Sequence, residues 1–200
     1  MLFTRFPVAG KSKTRLIPAL GEHEAAMLQK KMTEHIVAML QTFDKQADYT
    51  LEVRYTGAGR KEIKNWLAAS SAMTFNEQGK GDLGARLSRA FAAAFRGGND
   101  QVLAIGADCP ALTTEILENG FKLLEVNDVV LGPAIDGGYY LIGMRGYWPE
   151  LFSQIAWGSE HVLAQTCASA AQAGLMYALL QPLTDIDRPE DLRHCRDIPS

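Results

Sequence analysis

Apolar residues recur along this chain with two different periods, one typical of helices and one typical of strands. Residues 22–43 have the helical period, which predicts a long amphipathic helix covering a sheet. Its apolar face is formed by Leu28, Met32, Ile36, Met39 and Phe43. Residues 51–55 instead alternate between apolar and polar, which predicts a strand.

The same patterns continue to the end of the chain and predict that strands and helices alternate. The predicted strands are residues 2–6, 51–55, 73–75, 102–105, 129–131, 139–144 and 175–180. The predicted helices are residues 22–43, 62–69, a segment ending at Phe95, one beginning near Thr113 or Thr114, and residues 149–154 and 160–173. Residues 139–144 either form a hairpin with 129–131 or make a separate strand. This alternation indicates an α/β fold, a three-layer α/β/α sandwich around a mainly parallel, Rossmann-like sheet.

Length and charge narrow the possible classes of protein. The chain has 200 residues, of which 47% are hydrophobic, so we expect residues 1–200 to form a single domain. The net charge is -3, from 20 basic and 23 acidic residues that are interspersed. We therefore expect small-molecule partners and neither nucleic acid nor a membrane surface. The pattern does not predict an oligomeric state.

The cysteines and the apolar segments bear on localisation. Cys109, Cys167 and Cys195 are an odd set without the spacing of a metal or redox motif. A chain of this size has no need of disulfides, and no segment has the ~20 apolar residues of a membrane span or the pattern of a signal peptide. We expect a soluble, unprocessed, cytoplasmic protein.

Acidic residues lie in turns at the ends of apolar segments. Asp108 follows the predicted strand 102–105, Asp136 precedes 139–144, and Asp185 and Asp187 follow 175–180. Parallel strands of an open α/β sheet end at one edge, so these carboxylates can converge on one Mg²⁺ or Mn²⁺ ion bound to phosphate.

Each acid also has an ordinary structural explanation, and these alternatives stay open. Asp108 could form only local hydrogen bonds in its turn. Gly137 and Gly138 after Asp136 predict a tight bend close to a bound ligand, but a common Asp-Gly hairpin turn is the alternative. Asp187 could cap a helix that begins near Pro189.

The polar segment 10–15 follows the first predicted strand and is the candidate phosphate site. Gly10 lets backbone amides approach a phosphate, Lys11 and Lys13 supply point charges, and Arg15 supplies a planar fork. The spacing is that of neither a P-loop nor a dinucleotide fingerprint. A solvated basic loop is the alternative.

A second glycine-rich segment, residues 79–84, precedes the helix that ends at Phe95. With Arg86, it predicts one wall of a nucleotide or acceptor pocket, although glycine-rich helix entries are also ordinary connections. The candidate residues in this wall are Gly81, Asp82 and Gly84.

The remaining polar and aromatic residues give weaker signals. Tyr139 and Tyr140 could stack on a base or sugar, although strand aromatics usually belong to the core. Cys109 is expected to be a small buried side chain. The histidines have no metal-ligand spacing, and we interpret them as surface or helix-face residues, namely His23, His35, His161 and His194.

In order, these motifs resemble one bacterial family along nearly the whole chain. The matching segments are residues 6–16, 79–87, 106–112, 132–143 and 185–192. The family is the uncharacterised glycosyltransferase-like family of DUF2064 type, labelled as associated with radical-SAM and selenium-related genes and related to phospholactate guanylyltransferase. The resemblance implies a GT-A nucleotide-diphospho-sugar transferase fold that carries a nucleotide and a divalent metal.

The resemblance also implies roles for individual residues. The loop 10–15 would hold phosphates, Asp108 and either Asp185 or Asp187 would hold the metal, and Asp136 would be a further ligand or an acceptor-site residue. Lys13 and Arg15 join Asp108 as catalytic candidates.

Two features depart from the family pattern. Gly158 stands where a serine is expected, which removes a hydroxyl at that position. Met1 lies almost inside the first predicted strand, where relatives usually carry a few more residues.

Three functions remain open. The first is metal-dependent nucleotidyl transfer from an NTP to a small phosphorylated acceptor, with release of pyrophosphate, and the basic loop favours it because a triphosphate needs charge neutralisation. The second is glycosyl transfer from a nucleotide sugar to a small acceptor. The third is nucleotide binding without catalysis.

Overall fold

A computed structural model of the chain describes residues 1–43, 49–67 and 73–197, without the side chains of 195–197. These residues divide into two compact units. The first unit comprises Met1–Glu77, Gly106–Thr114 and Thr184–Ser200, and the second comprises Gln78–Ile105 and Glu115–Leu183. The expected organisation as one domain stays a prediction.

The first unit contains three parallel strands and three helices. The strands are β1 (Leu2–Arg5), β2 (Leu51–Thr56) and β3 (Met73–Glu77), in the spatial order β3-β2-β1. The helices are α1 (Ile17–Leu20), α2 (Glu22–Phe43) and α3 (Arg60–Trp66), with 3-10 helices at Thr14–Leu16 and Pro189–Asp197. The predicted end of α3 at Ala69 lies outside the described residues.

Helix α2 confirms the predicted helix 22–43 residue for residue. Its Met32 and Ile36 are fully buried, and the buried hydrogen bond between Thr33 Oγ1 and Thr4 Oγ1 (3.0 Å) joins it to β1. Burial of such large side chains contributes about 1.5–3 kcal/mol each, so the apolar face of α2 fixes it on the sheet.

The second unit contains four strands and three helices. The strands are β4 (Val102–Gly106), whose last residue is counted with the first unit, β5 (Val129–Pro133), β6 (Tyr139–Met144) and β7 (Tyr177–Leu179). The helices are α4 (Leu83–Arg96), α5 (Thr114–Leu124), whose first residue is also counted with the first unit, and α6 (Val162–Gln172). A 3-10 helix spans Pro149–Phe152, within the segment 149–154 predicted to be helical.

The order of the strands in the second unit is β4-β6-β5-β7. Strand β6 runs antiparallel to both β4 and β5, whereas β5 and β7 are parallel. The hairpin alternative for residues 139–144 is therefore the correct one, with an irregular register at Gly132 and Pro133. Among the described helices, none is long and apolar enough to cross a membrane.

Candidate functional site

The loop after β1 is a compact turn organised by Ser12, a residue that the sequence analysis did not single out. The backbone N–H groups of Lys11 and Ser12 both donate to the Val8 carbonyl at 3.0 Å. Ser12 Oγ accepts from Val8 N (3.0 Å) and donates to the Phe6 carbonyl (3.3 Å). The loop is thus fixed by its own buried hydroxyl, while Gly10 and Lys11 stay exposed.

Lys13 has an unusual backbone conformation. Its φ of 48° and ψ of 47° place it in the left-handed region, directly before the 3-10 helix Thr14–Leu16. A non-glycine residue there costs about 1–2 kcal/mol, so the surrounding structure has to hold it. The result of this turn is that the Lys13 side chain points inward, with 3% of it exposed.

The Lys13 ammonium is surrounded by oxygen atoms from two other segments of the first unit. Its Nζ lies 2.9 Å from Asp108 Oδ1 and 3.8 Å from Asp187 Oδ1. It also donates to the Ile186 carbonyl at 2.5 Å. A buried ammonium is stable only when paired and hydrogen-bonded, and these three oxygens provide that compensation.

Ile186 fixes the late acidic segment beside the loop. Its side chain is fully buried and packs in a cluster with Leu16, Ala25 and Met32. Its backbone N–H donates to the Asp108 carbonyl at 2.9 Å. Apolar burial and one backbone hydrogen bond therefore bring Asp187 and Asp108 to the same ammonium group.

Arg15 forms the exposed side of the charged cluster that it makes with Lys13, Asp108 and Asp187. Its Nη1 donates to Asp187 Oδ2 at 2.5 Å, and the side chains of Arg15 and Asp187 are 58% and 33% exposed. Such a pair contributes little to stability, about 0–1 kcal/mol. Its importance is geometric, because it keeps an exposed guanidinium next to the Asp187 carboxylate.

The contacts of Asp187 do not support the alternative in which it caps a helix. Its carboxylate contacts Lys13 and Arg15. Asp191, the third residue of the 3-10 helix Pro189–Asp197, reaches back from inside the helix, and its Oδ2 accepts hydrogen bonds from the backbone N–H groups of Asp187 (3.2 Å) and Arg188 (2.8 Å). The Asp187 carboxylate therefore belongs to the group of charges around Lys13.

His35 supports the turn that carries Asp108. Its Nε2 lies 3.1 Å from the Pro110 carbonyl, within hydrogen-bond distance. A carbonyl oxygen can only accept, so in this contact Nε2 carries the proton. The helical period places His35 on α2, but nothing in the sequence marks its partner at Pro110.

The carboxylates of this cluster fit a magnesium or manganese ion. Asp108 and Asp187 are partly exposed and reach the same nitrogen atom, and hard divalent cations are held by one or two carboxylates, water and phosphate oxygens. In the described part of the chain, no three His, Cys, Asp or Glu side chains gather closely enough to hold a metal. The structure thus brings together two of the four predicted metal ligands. The roles of Asp136 and the half-buried Asp185 as ligands stay predictions.

The glycine-rich segment before α4 belongs to the second unit and is tied to its own helix. Asp82 caps α4, accepting from Ala85 N at 2.8 Å. Arg86 Nε donates to the Gly81 carbonyl at 2.9 Å, and Arg86 Nη1 donates to Gln78 Oε1 at 3.2 Å. This geometry favours the structural explanation for Asp82. The ligand-binding roles of Gly81, Asp82 and Gly84 stay predictions.

Asp136 lies in the turn between β5 and β6, as the hairpin explanation requires. Its Oδ1 accepts from Gly138 N at 2.9 Å, and its side chain is exposed. Gly137 has φ 91°, and a Cβ there would lie 2.2 Å from the Glu160 carbonyl oxygen. The Gly137 carbonyl also accepts from Leu163 N at 2.9 Å. Gly137 is therefore required by close contact with the segment that enters α6, and binding of a ligand by this turn stays a prediction.

The two tyrosines after this turn have structural contacts. Tyr140 is buried, and its hydroxyl donates to the Gln181 carbonyl at 3.0 Å. The Tyr139 ring contacts Trp157 edge to face, with centroids 6.2 Å apart, and burial raises the pKa of its hydroxyl well above the ordinary range. Burial therefore favours the neutral form of Tyr139, and Tyr140 belongs to the core.

The departure at Gly158 has a backbone explanation. Gly158 has φ 82°, a conformation that side chains rarely adopt, so glycine suits this turn better than the expected serine. The next residue keeps its hydroxyl inside the turn, because Ser159 Oγ donates to the Ala156 carbonyl at 2.7 Å. This segment is thus a structural turn in this chain.

Cys109 and the histidines agree with their structural interpretation. Cys109 is buried, as expected, and burial raises the pKa of the half-buried Cys167 thiol, which disfavours its reactive thiolate. The other histidines are exposed, namely His23, His161 and His194.

The structure resembles several solved structures. A candidate nucleotide-diphospho-sugar transferase from Desulfovibrio desulfuricans G20 is 31% identical, with TM-score 0.87 over 98% of this chain and 86% of that chain. The 4-diphosphocytidyl-2C-methyl-D-erythritol synthase from Anaerococcus prevotii DSM 20548 is 10% identical, with TM-score 0.62 over 96% of this chain and 92% of that chain. Molybdopterin-guanine dinucleotide biosynthesis protein A from Archaeoglobus fulgidus is 14% identical, with TM-score 0.52 over 98% and 97% of the two chains.

These similarities confirm the predicted fold class, an α/β fold of the nucleotide-diphospho-sugar transferase type. No curated protein matches the chain. The family model that matches residues 39–159 covers more than half of the chain and describes uncharacterised proteins conserved in bacteria. The chain therefore belongs to the DUF2064 family.

Proposed function

We propose that the protein is a metal-dependent nucleotidyltransferase, which transfers a nucleotidyl group from an NTP to a small phosphorylated acceptor and releases pyrophosphate. The chain is a transferase, since its structural neighbours are nucleotide-diphospho-sugar transferases and cytidylyltransferases. The choice of nucleotidyl transfer rests on the site.

One observation carries this proposal: two cations of the loop after β1, Lys13 and Arg15, meet two carboxylates, Asp108 and Asp187. Phosphoryl chemistry needs cationic groups to neutralise the phosphates and carboxylates to hold a divalent ion. Both kinds of group occur here within a few ångströms, on segments fixed by the buried Ile186 and Ser12.

In the proposed reaction an oxygen of the acceptor phosphate attacks the α-phosphorus of the NTP. A new P–O bond forms, the bond between the α-phosphorus and the bridging oxygen breaks, and pyrophosphate leaves with that electron pair. Arg15 binds phosphate oxygens through its planar fork, and Asp108 and Asp187 would hold Mg²⁺ or Mn²⁺. When bound, such an ion supplies Lewis-acid stabilisation of the charge on the phosphates.

The catalytic contribution of these residues is mainly positioning and electrostatics. A phosphate acceptor is already ionised at neutral pH, so the reaction does not require a strong general base. This accords with the side chains of the cluster, which comprise cations and carboxylates but no histidine.

Glycosyl transfer from a nucleotide sugar is the second candidate. It is favoured by the 31% identity with the candidate nucleotide-diphospho-sugar transferase from Desulfovibrio desulfuricans G20. The same carboxylates, Asp108 and Asp187, would then hold the metal at the diphosphate leaving group.

Two assays with purified protein and Mg²⁺ or Mn²⁺ separate these candidates. Exchange of labelled pyrophosphate into an NTP, with a panel of small phosphorylated acceptors present, is expected for nucleotidyl transfer. Slow hydrolysis of a nucleotide sugar without exchange would instead favour glycosyl transfer. Tight metal-dependent nucleotide binding with neither reaction would indicate a binding module and contradict both.

A further inference from the structure

Lys13 is the most buried charged group of the candidate site, with 3% of its side chain exposed. The phosphate-binding role predicted from the sequence requires an accessible ammonium. In this structure the ammonium instead faces two carboxylates and a carbonyl. By contrast, Lys11 is exposed and Arg15 is 58% exposed, so these two residues present the accessible charge of the loop.

The ligands of the Lys13 ammonium are those that a hard cation would take. Asp108 Oδ1 at 2.9 Å, the Ile186 carbonyl at 2.5 Å and Asp187 Oδ1 at 3.8 Å are all oxygen atoms. Carboxylates and backbone carbonyls are also the protein ligands of Mg²⁺, Mn²⁺ and Ca²⁺. An ammonium and a divalent ion cannot occupy the same position.

The two carboxylates that contact Lys13 and Arg15 are each paired with a cation. Asp108 and Asp187 are paired with Lys13 and Arg15, so two negative charges meet two positive charges. A divalent ion approaching this cluster is repelled by the ammonium and finds one Asp108 oxygen already engaged. The phosphates of a nucleotide add negative charge and supply an alternative partner for Lys13.

We propose that Lys13 is a resident counter-ion, which occupies the divalent cation's place in the nucleotide-free protein and leaves Asp108 when metal and nucleotide bind. This inference rests on the proposed function in assigning a divalent cation to Asp108 and Asp187. It explains why a lysine is held inward in a left-handed conformation when a phosphate ligand would require it to face solvent.

The first test is a titration with MnCl₂ in the absence of nucleotide, in which electron paramagnetic resonance measures the concentration of free Mn²⁺. Lys13→Met keeps the aliphatic stem but removes the charge, and it should bind Mn²⁺ at least about tenfold more tightly than the wild type. Lys31→Met is the matched control, because it removes the same charge from an exposed residue of α2, outside this loop. It should bind Mn²⁺ within about twofold of the wild type.

A second test uses the wild-type protein and does not depend on folding of the variant. In crystals soaked in MnCl₂, anomalous density for Mn²⁺ at Asp108 should occur only where Lys13 Nζ has left Asp108 Oδ1. Crystals without Mn²⁺ at Asp108 should retain the contact. Mn²⁺ bound at Asp108 with the Lys13 contact intact would overturn the proposal.

A parallel titration with each NTP in the presence of Mg²⁺ distinguishes this inference from the proposed function. If Lys13→Met binds Mn²⁺ more tightly but no NTP binds either protein, the counter-ion role stands and the proposed function fails. If an NTP binds the wild type but Lys13→Met binds Mn²⁺ no more tightly, the counter-ion role is overturned and the proposed function stands.

Discussion

The ammonium of Lys13 lies 2.9 Å from the carboxylate of Asp108, although the two residues belong to loops far apart in the sequence. The contact is buried on the lysine side and 48% exposed on the aspartate side. Asp108 is thus anchored by one oxygen while its carboxylate remains accessible.

Arg15 should matter for ligand binding and very little for stability. Arg15→Ala removes an exposed ion pair with Asp187, so the free energy of unfolding in urea should change by less than about 1 kcal/mol. The affinity for the bound NTP should fall about tenfold, because the guanidinium fork is lost. Arg15→Lys should recover only part of this loss.

The matched control for Arg15 is Arg60→Ala, which removes an exposed arginine from the first turn of α3. It should leave NTP affinity unchanged in isothermal titration calorimetry. Equal affinities for Arg15→Ala and the wild type would remove Arg15 from the site.

His35 should act as a positioning residue. His35→Leu removes the hydrogen bond to the Pro110 carbonyl, which supports the Asp108 turn, and should lower kcat several-fold with a smaller change in KM. His35→Gln retains a side-chain donor and should restore most of kcat.

The control for His35 is His23→Leu on the exposed face of the same helix, which should leave kcat unchanged. The measurement is steady-state kinetics with an NTP that binds the wild-type protein. A Gln variant as impaired as the Leu variant would show that hydrogen bonding by His35 does not position the turn.

Gly137 should tolerate no side chain. Gly137→Ala places a Cβ against the Glu160 carbonyl oxygen at φ 91°, and should cost about 3 kcal/mol or more of unfolding free energy. Gly174 has a similar φ of 70°, but no atom lies within 4 Å of its Cβ position. Gly174→Ala should therefore cost only about 1 kcal/mol, from backbone strain alone. Equal costs in urea denaturation would contradict the steric explanation.

The sequence predicted best those features that depend on local periodicity. Helix α2 begins and ends where the apolar period does, and strand β2 follows the alternation of residues 51–55. The motif order identified the family, because each motif marks a strand end or a turn and the five occur in sequence.

The contacts that assemble the site could not be predicted from the sequence. Nothing local shows that the Lys13 side chain turns inward, because its partners, Asp108 and the Ile186 carbonyl, lie on segments distant in the sequence. The contacts of Lys13 with the Ile186 carbonyl and of His35 with the Pro110 carbonyl are tertiary contacts. The types of these residues do not indicate them. Asp187 also precedes a helix, as a capping residue would, and only the structure shows that its carboxylate contacts Lys13 and Arg15.

The assignment of Asp108 to a nucleotide and metal site can be tested by thermal shift of the wild type and Asp108→Asn. The ligands are NTPs and nucleotide sugars, each added with Mg²⁺, Mn²⁺ or EDTA. A ligand that binds only the folded state raises Tm. In the wild type, we expect at least one NTP to raise Tm in a metal-dependent way. In Asp108→Asn, we expect no rise in Tm, and this variant should keep a folded, cooperative transition. The exposed control Asp100→Asn should behave as the wild type does. No rise with any nucleotide, or the same rise in Asp108→Asn, would contradict the assignment of Asp108 to a nucleotide and metal site.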